Sequence, residues 1–353
     1  MLNPDLKLNT KMFDADADQQ PIRKGFGEGL LQAAEMDKRV VGLCADLTES
    51  TQMLSFKQKF PERFVEIGVA EQNLATVASG MAAMGKIPFM TSYAMFSPGR
   101  NWEQIRTTIA YNNRPVKIAG SHAGISVGPD GGTHQAIEDM AIMRVIPRMT
   151  IISPCDAIQA KKATLAAAKT DAPTYIRLAR EKTSVMTTED TPFEIGKAQM
   201  IYDSRLAKQG LQNHPSLRDT PFKKGDSMQL DVGIIATGAL LFKALKVAQK
   251  LESEGKSVTV MNLHTIKPLD EDAIIKLAHE SGAIVTVEEH QIHGGMGSAV
   301  AECLAAHAPV PIEFIGVNDR FGQSGKPDEL IELYGIGETH IYDAAVKVMI
   351  RKR

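Results

Sequence analysis

Four short segments of this chain carry residue types that can do polar chemistry at close quarters. Each follows an apolar run that reads as a strand: ADLTES (45–50), IGVAEQN (67–73), TSYAMFSPGR (91–100) and SHAGISVGPDGGTHQ (121–135). The last is the richest, setting His122, Asp130 and His134 among Gly124, Gly128, Gly131 and Gly132, with Gly120 just before it. Glycine frees the backbone for positive φ and for close approach of a ligand. Two imidazoles and a carboxylate that converge can hold a polyhydroxylated ligand and move its protons. The alternative is a glycine-rich surface loop with solvated histidines. A phosphate cradle of the P-loop type is excluded, since GxxxxGK[ST] does not occur. Glu71 opens a helical stretch of small residues (Ala75, Ala78, Ser79, Gly80, Ala82, Ala83). By itself it reads as a first-turn acid favoured by the helix dipole, and the small-residue face would let a partner backbone come close. The later glycine cluster HQIHGGMGSAVAE (290–302) misses the GxGxxG spacing and reads as a tight strand-to-helix turn holding His290 and His293.

Elements must place these segments, and the hydrophobic pattern supplies them. From Pro21 onward helical and strand-like stretches alternate. Helices are expected over 23–36, 70–84, 102–111 and 157–169, and strands over 40–45, 64–67, 87–90, 116–119, 150–152 and 174–178. Short apolar strands separated by helices predict a mostly parallel sheet covered on both faces. The pattern lapses after Glu181, and 202–228, with Gly210, Pro215, Pro221 and Gly225, reads as a linker or surface excursion. Alternation resumes at Asp231 with VGIIATG, VTVMNL, AIVTVEE and PIEFIGV, each followed by a helical stretch. The expected fold class is therefore α/β, as two consecutive α/β domains with mostly parallel sheets. The expected boundaries are an N-terminal arm over 1–20, which is solvated or makes an edge contact, a first domain over 21–190, a linker over 191–230 and a second domain over 231–353.

Composition narrows the function classes. The 353 residues suit two domains. Lys plus Arg is 40 and Asp plus Glu is 42, a net charge of −2, which gives no electrostatic footprint for nucleic acid or an anionic membrane. Cys44, Cys155 and Cys303 form no CxxC pair, which argues against a disulfide framework and a zinc site. No apolar run is long enough to span a bilayer and no secretory signal is visible, so a cytoplasmic enzyme is expected.

In this order, ADLTES, GVAEQN, SHAGISVGPDGGTHQAIE, LARE (178–181), NLHTIKPLD (262–270) and DRFGQSGKPDEL (319–330) resemble the C-terminal half of transketolase, a thiamine-diphosphate enzyme. The resemblance runs from about Pro21 to the C-terminus. It implies a pyrimidine-binding domain followed by a transketolase C-terminal domain. The Gly-Asp-Gly that begins the family's diphosphate and metal site is missing. The chain thus resembles the C-terminal subunit of a split transketolase, active only with a separate N-terminal subunit that carries GDG…N and holds Mg²⁺ or Ca²⁺ with the diphosphate, in an α2β2 heterotetramer. By the same resemblance Glu71 hydrogen-bonds N1′ of the cofactor's aminopyrimidine. Tyr93, in place of a usual Phe, and Phe96 pack on that ring, Gly99 falls where another aromatic is common, and Asp46 lies near the cofactor. His134 is placed at the donor's reacting hydroxyl and carbonyl, and Asp130 at a substrate hydroxyl. Arg23, Ser50, His122 and Arg180 match positions that hold a sugar phosphate. The implied activity is transfer of a two-carbon ketol unit from a ketose phosphate such as xylulose 5-phosphate to an aldose phosphate such as ribose 5-phosphate, in the pentose phosphate pathway. Rival assignments are a 1-deoxy-D-xylulose-5-phosphate synthase, a 2-oxoacid dehydrogenase β subunit and a non-catalytic interaction subunit.

Overall fold

The computed structural model describes residues 1–206 and 230–352. The first unit contains strands β1 (Gln19–Pro21), β2 (Val40–Cys44), β3 (Phe64–Glu66), β4 (Ile87–Tyr93), β5 (Lys117–Ser121), β6 (Thr150–Ile152), β7 (Thr174–Leu178) and β8 (Lys182–Ser184). Its helices are α1 (Ile22–Met36), α2 (Leu54–Lys59), α3 (Glu71–Ala83), α4 (Trp102–Gln104, widening into π geometry over Ile105–Ala110), α5 (Asp139–Arg144) and α6 (Ala157–Ala168). The second unit follows with β9 (Gln199–Asp203), β10 (Val232–Ala236), β11 (Val258–Asn262), β12 (Thr265–Lys267), β13 (Ile284–Gln291) and β14 (Ile312–Val317). Its helices are α7 (Leu241–Ser253), α8 (Glu271–Ser281), α9 (Met296–His307), α10 (Pro327–Leu333) and α11 (Glu338–Arg351).

The larger sheet runs β12-β6-β7-β5-β4-β2-β3, and every pairing from β6 to β3 is parallel. The second sheet runs β14-β13-β10-β11-β9, parallel except for β9. Every residue of β2, β5, β7, β10 and β11 is buried. Strands covered on both faces have no solvated side, so β2 and β10 read as continuous apolar runs, and polar members of the others, such as Lys117 and Arg177, are buried with hydrogen-bond partners. The expected class, two consecutive α/β domains with mostly parallel sheets, is the fold observed.

Two details depart from the sequence reading. Strand β9 lies inside the stretch expected to be a linker and pairs antiparallel with β11 at the sheet edge. Strand β12 crosses from the second unit to pair antiparallel with β6 of the first sheet. The two units accordingly share one apolar cluster, in which Met140 and Met143 join Leu263, Ile266 and Met296. Of the two readings of the N-terminal arm, solvated or an edge contact, the contact is the one observed. Asn3 N–H donates to the Ile201 carbonyl, Met12 is fully buried, and β1 pairs with β8. Most of the 202–228 excursion, from 207 on, lies outside the described residues.

Helix α1 lies against α6 at backbone distance. A Cβ on Gly25 would collide with the Ala157 carbonyl, and one on Gly29 would stand 2.8 Å from the Lys161 oxygen. This contact fixes the head of α1, and with it Arg23.

Candidate active site

In an open parallel sheet the ligand crevice lies beyond the carboxyl ends of the strands, and the segments singled out in the sequence all emerge there. Register does the gathering. Tyr93 is paired with Ser121 across β4 and β5, and Ser121 with Leu178 across β5 and β7. His122 and Arg180 therefore leave the sheet side by side with Tyr93. The Tyr93 and His122 rings stack with centroids 3.9 Å apart at 28°. His122 is buried, and its Nδ1 shares a hydrogen bond of 2.8 Å with Ser121 Oγ. Burial, then the charges of Arg23 and Arg180, push the imidazole down to about 3. It is neutral at physiological pH, and among the described residues its Nε2 has no partner.

Arg23, in the first turn of α1, donates Nη1 to the Arg180 carbonyl. A cation there opposes the helix dipole. Burial and the neighbouring Arg180 guanidinium hold Arg23 below its usual pKa, and its Nε is buried without a partner. Arg180 donates Nη1 to the Val127 carbonyl at 2.5 Å and lies 3.8 Å from Asp130. Two guanidiniums are thus held together beside a neutral imidazole, their charge partly offset by Asp130 and by Glu181, which lies 3.7 Å from Arg180 Nε.

Glu71 heads α3 and its side chain is 2% exposed. Its Oε2 accepts from Arg100 Nη1 at 2.7 Å, and its backbone carbonyl accepts from Asn101 Nδ2 at 2.9 Å. The Arg100 guanidinium carbon lies 4.9 Å from the centroid of the Phe96 ring. Phe96 is in turn stacked near Tyr93 (6.4 Å, 20°) and edge-on to His134 (5.3 Å, 83°). Glu71, Phe96, Tyr93, His122 and His134 thus line one continuous wall.

Asp130 is exposed and faces Arg180, while His134 is half-buried with Nδ1 hydrogen-bonded to Thr133 Oγ1 at 2.9 Å. Two positions stand farther back. Asp46 is exposed at φ 59°, its N–H donating to Glu66 Oε1 at 2.7 Å. Ser50 sits half-buried in the turn that packs on α1 at Gly27, where a Cβ would meet the Gln52 carbonyl at 2.5 Å. Neither is joined to the other site residues by a side-chain hydrogen bond among the described residues.

The glycine-rich loop is buttressed by the second unit. Glu289 Oε1 accepts from Ser126 N–H at 2.5 Å. Gln135 Nε2 donates to the carbonyls of Ile125 and Gln323, both at 3.0 Å. A Cβ on Gly131 would meet Ser324 Oγ at 2.6 Å, and one on Gly132 would meet the Gly322 carbonyl at 2.6 Å. These glycines serve a protein–protein approach within the chain as much as any ligand. The turn at 290–298 is as tight as expected: Glu288 accepts from the N–H groups of Met296 and Gly297 at the head of α9, both at 2.7 Å.

Arg100, Glu66, Gln135 and Glu289 were not singled out in the sequence. A cation four residues beyond Phe96 was the available signal for Arg100; the others act through contacts with no local pattern. A buried carboxylate beside aromatic faces suits an aminopyrimidine in its donor and acceptor chemistry. Among the described residues no group of three or more His, Cys, Asp or Glu side chains is arranged to hold a metal ion, and no helix is long and apolar enough to cross a membrane.

Comparison with known proteins identifies the family. Residues 18–185 match the model of the transketolase pyrimidine binding domain, and residues 225–341 that of the transketolase C-terminal domain. The 6-deoxy-6-sulfo-D-fructose transketolase subunit SqwH of Clostridium sp. (strain MSTE9) is 37% identical over 340 residues, 96% of this chain and 98% of its own length. A putative transketolase C-terminal section of Methanocaldococcus jannaschii is 41% identical over 318 residues, 89% of this chain and 92% of its own. A solved structure described as a split gene transketolase, inactive beta4 tetramer, superposes with a TM-score of 0.82 at 38% identity, covering 94% of this chain and 99% of that one.

Proposed function

This chain belongs to the transketolase family, as a subunit with the pyrimidine-binding and C-terminal domains, and from that premise we propose that it is the aminopyrimidine-binding half of a two-chain, cytoplasmic ketol transferase acting on sugar phosphates. The first domain ends near 190, after an arm of about twenty residues, and the second, read from 231 in the sequence, takes in β9 (Gln199–Asp203) as an edge strand. A separate subunit supplies the diphosphate and metal site, with Mg²⁺ or Ca²⁺, in an α2β2 assembly. Pentose phosphates such as xylulose 5-phosphate and ribose 5-phosphate are the proposed substrates. A relative is described as acting on 6-deoxy-6-sulfo-D-fructose, whose sulfonate is also an anion, so the cation cluster suits either head group.

Thiamine diphosphate, when bound, supplies the carbon centre that cleaves and re-forms the ketose C–C bond. The chain's own groups have separable tasks. Glu71 holds a proton at N1′ of the aminopyrimidine, its backbone fixed at the helix head by Asn101, which donates to the Glu71 carbonyl. Phe96 and Tyr93 cover the ring, and Asp46 supports the turn beside it. Arg23 and Arg180 take the phosphate by charge, with the neutral His122 and Ser50 as hydrogen-bonding partners. Asp130 orients a substrate hydroxyl, and His134 exchanges a proton with the donor hydroxyl.

The observation that carries this assignment is the continuity of the two halves: one Tyr93–His122 stack of 3.9 Å joins the Glu71 wall to the Arg23–Arg180 cluster. In the assembled two-chain enzyme, Glu71→Ala is expected to lower ketol transfer by at least about 100-fold, the span of a lost proton-transfer partner, with the oligomer and circular dichroism unchanged. Near-normal turnover in that variant would remove Glu71 from its role.

A further inference from the structure

Arg100 has no task in the chemistry just described, yet it makes the closest side-chain contact with the group at its centre. Glu71 and Arg100 differ sharply in exposure: the carboxylate side chain is 2% exposed and the arginine 49%. Among the described residues Arg100 is the one side chain bonded to that carboxylate. A carboxylate so deeply buried needs a partner, because an unpaired buried charge is costly. The guanidinium also lies over the Phe96 ring at 4.9 Å. It is a flat group with N–H donors at its rim, so it meets an aromatic face and a carboxylate edge at once. These are the two surfaces assigned to the aminopyrimidine.

We infer that Arg100 is a placeholder for the aminopyrimidine, pairing with Glu71 and covering Phe96 until the ring enters and the side chain swings out to solvent. This assignment rests on Glu71 and Phe96 forming the pyrimidine slot proposed for the chain. The neighbouring residue explains how the arginine can leave without disturbing the site. Asn101 is buried and grips both the Glu71 carbonyl and Ser97 Oγ (2.9 and 3.2 Å), so the backbone stays put while the half-exposed side chain moves. Ring entry then competes with an existing ion pair. The apparent affinity is reduced by the fraction of molecules in which the slot is open.

The test uses thiamine, which carries the aminopyrimidine without the diphosphate, titrated into the purified chain. Binding is read by isothermal titration calorimetry. Arg100→Met keeps the apolar stem and removes the flat fork, and it is expected to bind thiamine at least about fivefold more tightly than the parent chain. Arg100→Lys, which keeps the charge but loses the planar cover, is expected to tighten binding about twofold and serves if the first variant does not fold. Glu71→Ala and Phe96→Ala are expected to weaken binding. Unchanged or weaker binding in the Arg100 variants, with Glu71→Ala and Phe96→Ala still weakening it, would overturn the placeholder and leave the slot standing. Thiamine binding indifferent to Glu71→Ala and Phe96→Ala would overturn the slot, and the placeholder with it.

Discussion

His122 adopts the left-handed region (φ 57°) that side chains with a Cβ seldom enter, and it is held there by the Tyr93 stack and by Ser121. Its neutrality is part of the site: two guanidiniums provide the charge, and the imidazole contributes a hydrogen bond without adding a third repelling cation. His264 and His290 are likewise buried and pushed down to about 4. A histidine whose pKa is lower in the fold than its ordinary 6.5 gives stability that is complete above 6.5 and is lost as pH falls toward the folded value. Denaturant unfolding should therefore show stability dropping between pH 6.5 and about 4.5, by on the order of 1–2 kcal/mol per histidine. Glu288 acts with the opposite sign. Burial pushes it up to about 7, so its contribution is present below the ordinary carboxylate range and is lost as pH rises through 7. Imidazole proton resonances of His264 or His290 that titrate at the ordinary 6.5 in the folded protein would contradict the burial of these imidazoles as neutral groups. At this scale the segments that carry Glu71, Tyr93, His122 and Arg180 were legible as strand ends, while the roles assigned to these residues come from the resemblance to transketolase and not from their spacing. Arg100 was not, because its role depends on a carboxylate 29 positions away.

The elements explain why the loop from 121 to 135 needs so many glycines. Sequence reasoning assigned them to ligand approach, and the structure shows Gly131 and Gly132 pressed against the 322–324 segment of the second unit. That interlock, with Gln135 and Glu289, sets the height of Asp130 and His134 above the sheet. Gly132→Ala would place a methyl group 2.6 Å from the Gly322 carbonyl, a distance that forces one segment to shift. The expected result in steady-state kinetics of the two-chain enzyme is a KM for the donor sugar raised about tenfold, the size of a loss of about 1.4 kcal/mol in binding, with thiamine binding to the chain unaltered. An unchanged KM would mean that the buttress does not position the loop. The parallel strands and their helices were readable from apolar runs and 3.6-residue periodicity. Strands β9 and β12 were not: TIK is three residues long, and QMIYD lies at a sheet edge after a lapse in the pattern. Their pairing is decided by partners 50 or more residues away.

For the whole molecule, the near-neutral net charge conceals a local concentration of cations at one end of the larger sheet. The two units are joined by a shared apolar cluster and by β12, so the second unit braces the site from behind. Relatives of matching length described as a transketolase subunit and as a transketolase C-terminal section, with a solved split gene transketolase of similar extent, imply a separate partner subunit. The most direct measurement is ketol transfer from xylulose 5-phosphate to ribose 5-phosphate in the presence of thiamine diphosphate and Mg²⁺, with this chain alone and again with a co-expressed chain carrying GDG…N. No turnover by the chain alone and robust turnover by the pair is the expected result; robust turnover by the chain alone, or none by the pair, would contradict the two-chain account.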